Sequence, residues 1–456
     1  MKNMTLEAIA KACNGEIYYS DKITDSDAVA SQVIIDSRQI IPGGVFIATP
    51  GERVDGHSFI PQVFEKGALG VVCEKLPDEP LGPCILVKDS FEALRQIATY
   101  YRSVCDIKVV GVTGSVGKTS TKEFIASVLA VKYNTCKTQG NFNNEIGVPL
   151  TLLQVKDDTE VLVLEMGINH FGEMTRLTAM GRPDIAVITN IGQCHLEFLE
   201  DRDGVLRAKT EIFTGMDENA IAVLNGDDDK LITVKDVHGN APLFFGRDAS
   251  FPYYVKESRS LGLLGSEAVL VGPDKEISVK VPLPGEHMVS NALTAMAVAD
   301  KLGLTADEIK EGIANVKSTG GRSNIISTDK YTIIDDCYNA NPTSMKSAIE
   351  LLCTADTSKV AILGDMFELG GDELKLHGEV GSFAATSGID VLICIGKLSK
   401  AMYEKACEEQ TAMTYYFEDI DSAMAVLKNM LSNGDSILIK ASHSMGFEKI
   451  VDFLQK

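Results

Sequence analysis

Residues 107–123 read IKVVGVTGSVGKTSTKE: an apolar run of strand character, a Gly-rich break ending in Gly117-Lys118-Thr119, and the opening of a helix. A phosphate-binding turn requires that order. Glycines at 111, 114 and 117 let a backbone approach a polyphosphate closely, and a helix N-terminus aims N–H groups at it. Lys118 adds a point charge, Ser115 and Ser120 flank the turn, and Thr119 is the expected Mg²⁺ ligand. The match to G-x-x-x-x-G-K-[ST] is imperfect, because the position five before Gly117 is Val112 and the first glycine falls one residue earlier, at Gly111. The shorter core from Gly114 to Thr119 is intact. Gly-rich turns also occur as plain connections, but a strand before and a helix after supply the context that makes this one a nucleotide site.

Outward from this turn the chain alternates strands and helices. VLVLEMG, DIAVITNIG and AIAVLNGDD follow as near-continuous apolar strands, the pattern of a parallel sheet covered on both faces. Before it, VIIDSR, GGVFIATP and ALGVVCE are short β segments divided by Gly, Pro and Asp turns. After it, residues 231–284 carry further short strands and 285–315 read as helices. Near Thr319-Gly320-Gly321 an α/β pattern starts again, with strands YTIIDDCY, KVAILGDM, VLICIG and SILIKAS. At 456 residues the chain exceeds one core, and about 150 residues per domain gives roughly three. The expected fold is α/β in three domains: a small N-terminal α/β unit over 1–103, a central parallel-sheet, P-loop ATPase-like unit over 104–317, and a Rossmann-like unit over 318–456.

Bulk composition narrows the partners. A formal net charge of −21 argues against nucleic acid and against an anionic membrane surface, which both need basic faces. No run reaches the roughly 18 apolar residues of a membrane span. Ten cysteines lie scattered without a C-x-x-C pair, and the N-terminus MKNMTLEAIAKACNGE lacks the apolar core of a signal peptide. Reduced thiols in a cytoplasmic protein fit that usage.

In a parallel sheet, ligands gather at the carboxyl edge, so polar residues just after apolar strands are the candidates for chemistry. Glu165 ends VLVLEMG and offers one carboxylate beside the phosphate turn, suited to Mg²⁺. His195 follows the next strand, in NIGQCHLEF. Lys209, in LRAKTEIF, falls on a helix and by itself reads as solvated surface.

The set GVTGSVGKTSTKE, GNFNNEIGVPLT, LEMGINHFGE, TNIGQCHLEF, RAKTEIF, NALTAMAVA, DDCYNANP and LGDMFELG resembles the Mur ligases of bacterial cell-wall synthesis. Within that family, IDSRQIIPGGVFIATPGERVDGHSFI, GNFNNEIGVP and DDCYNANP are most similar to members that add D-alanyl-D-alanine to UDP-N-acetylmuramoyl-tripeptide. The resemblance spans nearly the whole chain. It implies ATP and Mg²⁺ as cofactors, with Lys118 on the β/γ-phosphates, Thr119 and Glu165 on one Mg²⁺ and His195 on a second. It makes Lys209 the lysine that several members carbamylate. It assigns Asn291 to the adenine and gives Arg322, Asp336, Tyr338 and Asn339 the C-terminal share of the nucleotide site. Ser37, Arg38, Asp55 and His57 match the UDP-sugar motif, and Asn141, Asn143 and Asn144 match the stretch near the acceptor peptide. Without the resemblance, three asparagines in four positions would be a turn and Ser-Arg would mean little. Met288, where the family usually has asparagine, and Ala441 and His443, where glycine and arginine are common, depart from the pattern.

The implied reaction passes the γ-phosphoryl of ATP to the tripeptide carboxylate, because a carboxylate oxygen is a poor leaving group and an acyl phosphate is a good one. The dipeptide amine then attacks, and both Asp336 and His195 are candidates to take its proton. A monomer is the expected state. Two other readings compete. A folate-polyglutamate ligase would resemble the same core but lack the UDP-sugar unit. A P-loop switch would need neither Glu165, His195 nor Lys209.

Overall fold

The computed structural model describes residues 1–18, 28–51, 54–79, 81–318 and 320–455; Glu52, Arg53 and Thr319, which fall in stretches quoted above, lie outside the described residues. Three sheets organise these residues, and the middle one is built on the phosphate-turn strand β1 (Lys108–Thr113). From Val109 onward every residue of β1 is buried. Its alternate side chains serve opposite faces, as the period of two demands. Val109 joins a core with Leu162, Leu164, Ala186 and Ile188, whereas Val110 and Val112 join another with Val161, Val163, Ile185 and Val187. β1 therefore lies between β2 (Val161–Glu165) and β3 (Ile185–Ile188), parallel to both.

The complete sheet has nine strands, and it is mixed rather than wholly parallel. Seven run parallel, from Thr135–Lys137 at one edge through β2, β1, β3, Ile221–Asn225 and Leu243–Gly246 to Tyr253–Ser260. Ser266–Gly272 and Lys275–Val281 then add an antiparallel hairpin. These two strands show the in-out burial of a half-solvated ribbon, BeBiBiB and ieBeBeB. That alternation separates them from the buried parallel strands.

One face of the sheet carries α1 (Lys118–Leu129), which follows the phosphate turn, and α3 (Glu286–Lys301); both pack in the core of Val110 and Val112. The other face receives Glu173–Gly181, α2 (Arg202–Thr210) and the N-terminal helix Ser90–Val104. The N-terminal and middle parts therefore share one continuous core. Tyr101 is fully buried there, its hydroxyl donating to the Val155 carbonyl at 2.7 Å. The N-terminal sheet itself has five strands, only Glu16–Tyr18 running antiparallel to its neighbour.

The C-terminal sheet has six strands and its own two cores. Its order is Asn324–Ser327, β4 (Thr332–Asp335), β5 (Ser436–Lys440), Lys359–Gly364, Val391–Ile395 and Met413–Phe417. The last strand in the chain sits inside the sheet, parallel to both neighbours.

Candidate active site

Two glycines shape the phosphate turn. Gly114 has φ +146°, and a Cβ there would lie 1.9 Å from the Thr189 hydroxyl oxygen. Gly117 caps α1 in the left-handed region at φ +82°. Gly111, expected in the turn, is instead within β1, where a Cβ would lie 3.2 Å from Pro183 Cβ. The imperfect motif spacing thus reflects a glycine used for packing. Asn190 clamps the turn at Val116, accepting from its N–H and donating to its carbonyl, each at 3.0 Å. Lys118 arches back to donate to the carbonyls of Gly114 at 2.7 Å and Ser115 at 3.4 Å. Burial, followed by the nearby Lys209, pushes its ammonium down to about 8.

At the carboxyl end of β2, Glu165 accepts from Thr119 Oγ1 at 2.8 Å on one oxygen and from Asn143 Nδ2 at 2.8 Å on the other. Lys122, one turn along α1 and 1% exposed, stands 3.6 Å from the same carboxylate and donates to the Thr138 carbonyl at 2.8 Å. His195 sits at φ +51° beyond β3, and its Nδ1 is 2.7 Å from Glu368 of the C-terminal part. Burial, then Lys209, pushes His195 down to about 4 against the pull of Glu368, so the ring is neutral near pH 7.

Lys209 departs from its reading as surface. It is 1% exposed, and burial pushes its ammonium below the ordinary range. It has no ion pair or hydrogen bond among the described residues. A buried amine without a counter-ion favours its neutral, nucleophilic form.

Lys118, Asn143, Glu165 and His195 face one cavity of about 870 Å³. Its lining includes Ser115, Gly117, Lys118, Ser120, Asn141, Asn143, Asn144, Glu165, His195 and Asn291 from the middle part, and Arg322, Asp336, Tyr338 and Asn339 from the C-terminal part. Asp89, Phe91 and Arg95 reach it from the N-terminal part. Thr119 and Lys209 are buried behind that lining. Asn291 is held within the protein: its Oδ1 accepts from Thr121 at 2.9 Å and its Nδ2 reaches Met288 Sδ at 3.5 Å. Asn144 stands in the turn before the helix Gly147–Leu152, its Oδ1 accepting from the N–H groups of Ile146 and Gly147.

The C-terminal wall is a stack on a clamp. The Arg322 guanidinium lies 4.0 Å from the centre of the Tyr338 ring, and His443 lies 5.3 Å from that ring. Beneath, Lys440 at the end of β5 donates to Asp336 Oδ2 at 2.6 Å and to the Asn339 carbonyl at 2.8 Å. Asp336 also accepts from the Ser323 N–H at 2.9 Å.

Ser37, Arg38, Asp55 and His57 are not among the residues lining this cavity. Arg38 makes a two-pronged pair with Asp36, at 2.9 and 2.8 Å, with its side chain 87% exposed. His57 bridges Asp55, at 2.6 Å from Nδ1, and the Glu74 N–H, at 2.9 Å from Nε2. Sequence reasoning missed Lys122, Glu368 and Lys440. All three lay within quoted segments, but the partners of Glu368 and Lys440 are distant in sequence. Lys122 carried no local signal beyond its place on α1.

Three family models match the chain: the Mur ligase family catalytic domain at residues 30–102, the Mur ligase middle domain at 112–299, and the Mur ligase glutamate ligase domain at 321–443. The UDP-N-acetylmuramoyl-tripeptide–D-alanyl-D-alanine ligase of Escherichia coli strain K12 is 35% identical, covering 100% of this chain and 99% of the relative. A crystal structure of MurF from Acinetobacter baumannii superposes with TM-score 0.89 at 31% identity, over 99% of both chains. MurF ligase from Thermotoga maritima in complex with ADP gives 0.81 at 30% identity, over 94% of this chain and 98% of that one.

Proposed function

The chain belongs to the Mur ligase family, and from that premise we propose that it joins D-alanyl-D-alanine to UDP-N-acetylmuramoyl-tripeptide at the expense of ATP, yielding the pentapeptide precursor of peptidoglycan. The observation that carries the reading is the single cavity in which the phosphate turn faces the C-terminal wall of Arg322, Asp336 and Tyr338. A ligase needs nucleotide, acyl donor and amine together in one enclosed space.

The turn's N–H groups and Lys118 bind the β/γ-phosphates and meet the charge that develops as the γ-phosphoryl moves to the tripeptide carboxylate. The Arg322–Tyr338 stack offers a flat cationic and aromatic face to the base, and the relative solved with ADP supports nucleotide binding by this fold. Asn141, Asn143 and Asn144 line the side where the peptide enters, and their amides donate and accept to peptide groups. Asp336, held by Lys440, and His195, neutral through burial, remain the two groups able to take the proton of the attacking amine. Ser37 and Arg38 serve the UDP-sugar end, and Asp55 and His57 hold the loop beside it.

The donors present fit Mg²⁺. Thr119 Oγ1 and the Glu165 carboxylate are hard oxygens 2.8 Å apart, and His195 keeps Nε2 free because Nδ1 faces Glu368. No three His, Cys, Asp or Glu side chains converge among the described residues. That suits a small cation that keeps waters and phosphate oxygens in its shell. When bound, the metal neutralises phosphoryl charge as a Lewis acid. Carbamylation of the Lys209 amine, which has no ion pair or hydrogen bond among the described residues, would turn that amine into a carboxylate-like oxygen ligand for the metal.

Ten free thiols support a reducing compartment, and we place the enzyme in the cytoplasm as a monomer. Among the described residues, no helix is long and apolar enough to cross a membrane.

The test is phosphate release from ATP with Mg²⁺ and UDP-N-acetylmuramoyl-tripeptide, with and without D-alanyl-D-alanine, following the pentapeptide by mass. Release and product that need both substrates are the expected outcome. Release needing neither would make the chain a nucleotide switch, and dependence on a folate and glutamate would make it a folate-polyglutamate ligase.

A further inference from the structure

Among the described residues, the middle and C-terminal parts meet at a polar contact whose two members both adopt an uncommon backbone. His195 has φ +51° and Glu368 has φ +62°, and neither is glycine. Non-glycine residues in the left-handed region are uncommon, and such strain clusters where a side chain must be aimed. The two are 173 residues apart in sequence, yet His195 Nδ1 and Glu368 Oε2 are 2.7 Å apart.

The loop around Glu368 is anchored from its own side. The Met366 N–H donates to His377 Nε2 at 2.9 Å, and the Phe367 N–H donates to Ser442 Oγ at 3.0 Å. Asp365, at the end of the preceding strand, accepts from Ser399 through both its N–H, at 2.8 Å, and its hydroxyl, at 2.6 Å. Gly370, at φ +69°, brings the following turn against Glu197 of the His195 loop, so that a Cβ there would lie 3.7 Å from the Glu197 nitrogen. Glu368 is thus presented by a braced loop, while its carboxylate stays half exposed at 51%. That exposure makes the contact a poor source of stability. Its geometry serves orientation instead.

We propose that Glu368 is a positioning residue for the ligase reaction: from the C-terminal part it accepts from His195 Nδ1–H, fixing the ring's tautomer and rotation so that Nε2 is the bare nitrogen turned to the cavity. A carboxylate oxygen can only accept, so the proton of the pair resides on Nδ1. Carboxylates that hold a histidine by one nitrogen while the other acts are a recurrent arrangement at metal and acid-base centres. Here the two halves come from different parts of the fold. The histidine is therefore set only when the C-terminal part is docked. The proposal rests on the ligase reading for its catalytic consequence, but the tautomer is observable without it.

The experiment compares the full-length protein with Glu368→Ala and Glu368→Gln. Ring ¹³C and ¹⁵N shifts of His195 are recorded at about pH 8, where an ordinary histidine is neutral, together with kcat, KM for each substrate and the Mg²⁺ concentration giving half-maximal rate. In the parent, His195 is expected as the Nδ1–H tautomer. In Glu368→Ala it shifts toward Nε2–H, and kcat or the Mg²⁺ requirement worsens about 10- to 100-fold with KM for the UDP-peptide little changed. Glu368→Gln, whose amide oxygen still accepts, restores the tautomer and part of the rate. An unchanged tautomer and unchanged kcat in Glu368→Ala would overturn the proposal. A tautomer that shifts in a chain showing no ligase activity even in the parent would uphold the positioning and overturn the ligase reading instead.

Discussion

Lys122 and Lys209 are equally hidden, each 1% exposed, and both lie close to the phosphate turn, yet their surroundings are opposite. Lys122 has the Thr138 carbonyl at 2.8 Å, Glu123 at 3.2 Å and Glu165 at 3.6 Å. Lys209 has no ion pair or hydrogen bond among the described residues, and its charge works against protonation of both Lys118 and His195. A buried lysine with acceptors is a structural rivet that holds β2 to α1. One without them is a reactive group kept at the expense of stability. Burial alone does not distinguish the two, whereas the census of partners does.

Lys118 stands between these extremes, anchored only by loop carbonyls that a phosphate would replace. Lys118→Ala is expected to lower phosphate release 10³-fold or more while the thermal midpoint barely moves. Unfolding in place of inactivity would show the turn to be structural. Lys122→Met breaks a buried pair and leaves Glu165 short of a cation, so urea unfolding should shift by about 3 kcal/mol; a shift below about 0.5 kcal/mol would erase the distinction between the two lysines. Lys209→Met should do the reverse, with turnover falling about 10²-fold while the unfolding midpoint holds or rises, because an unpaired buried amine is replaced by a residue of similar shape. Loss of stability in that variant would mean that Lys209 has a partner in solution.

The smallest effect concerns His195. Its folded pKa of about 4 lies below the ordinary 6.5, so between those values the unfolded chain binds more protons than the folded one. Stability therefore rises with pH across that window: the penalty is fully present below about pH 4 and gone above 6.5. His195→Gln should flatten this part of the acid limb by an amount on the order of 2 kcal/mol. Thermal midpoints measured at intervals across the window would reveal it, and parallel curves for parent and variant would refute it.

The same contrast governs what was legible in the sequence. The turn, Lys118 and Glu165 were readable because strand, loop and helix follow each other within a few residues, so local periodicity fixes their geometry. His195 was placed at a carboxyl edge and is found there. The burial of Lys209 was not readable: α2 is short and polar, and only its packing beneath the sheet hides that side chain. Gly111 looked like part of the cradle because spacing alone cannot tell a turn glycine from one that admits Pro183. The antiparallel hairpin was read as short strands without direction, since alternating burial shows that a face is wet but not which way the strand runs. Glu368 and Lys440 escaped because each acts on a partner more than a hundred residues distant. Ser37, Arg38, Asp55 and His57 do not line the common cavity, a separation that a motif in sequence does not show.

The position of β5 has a consequence for how the molecule is made. Ser436–Lys440 is threaded between β4 and Lys359–Gly364, so the C-terminal sheet lacks an inner strand until residue 440 has been made. The same strand delivers Lys440, which holds Asp336 at the cavity wall. A chain cut short by a premature stop would lose not a frayed end but the middle of a sheet and the clamp on its reaction centre together.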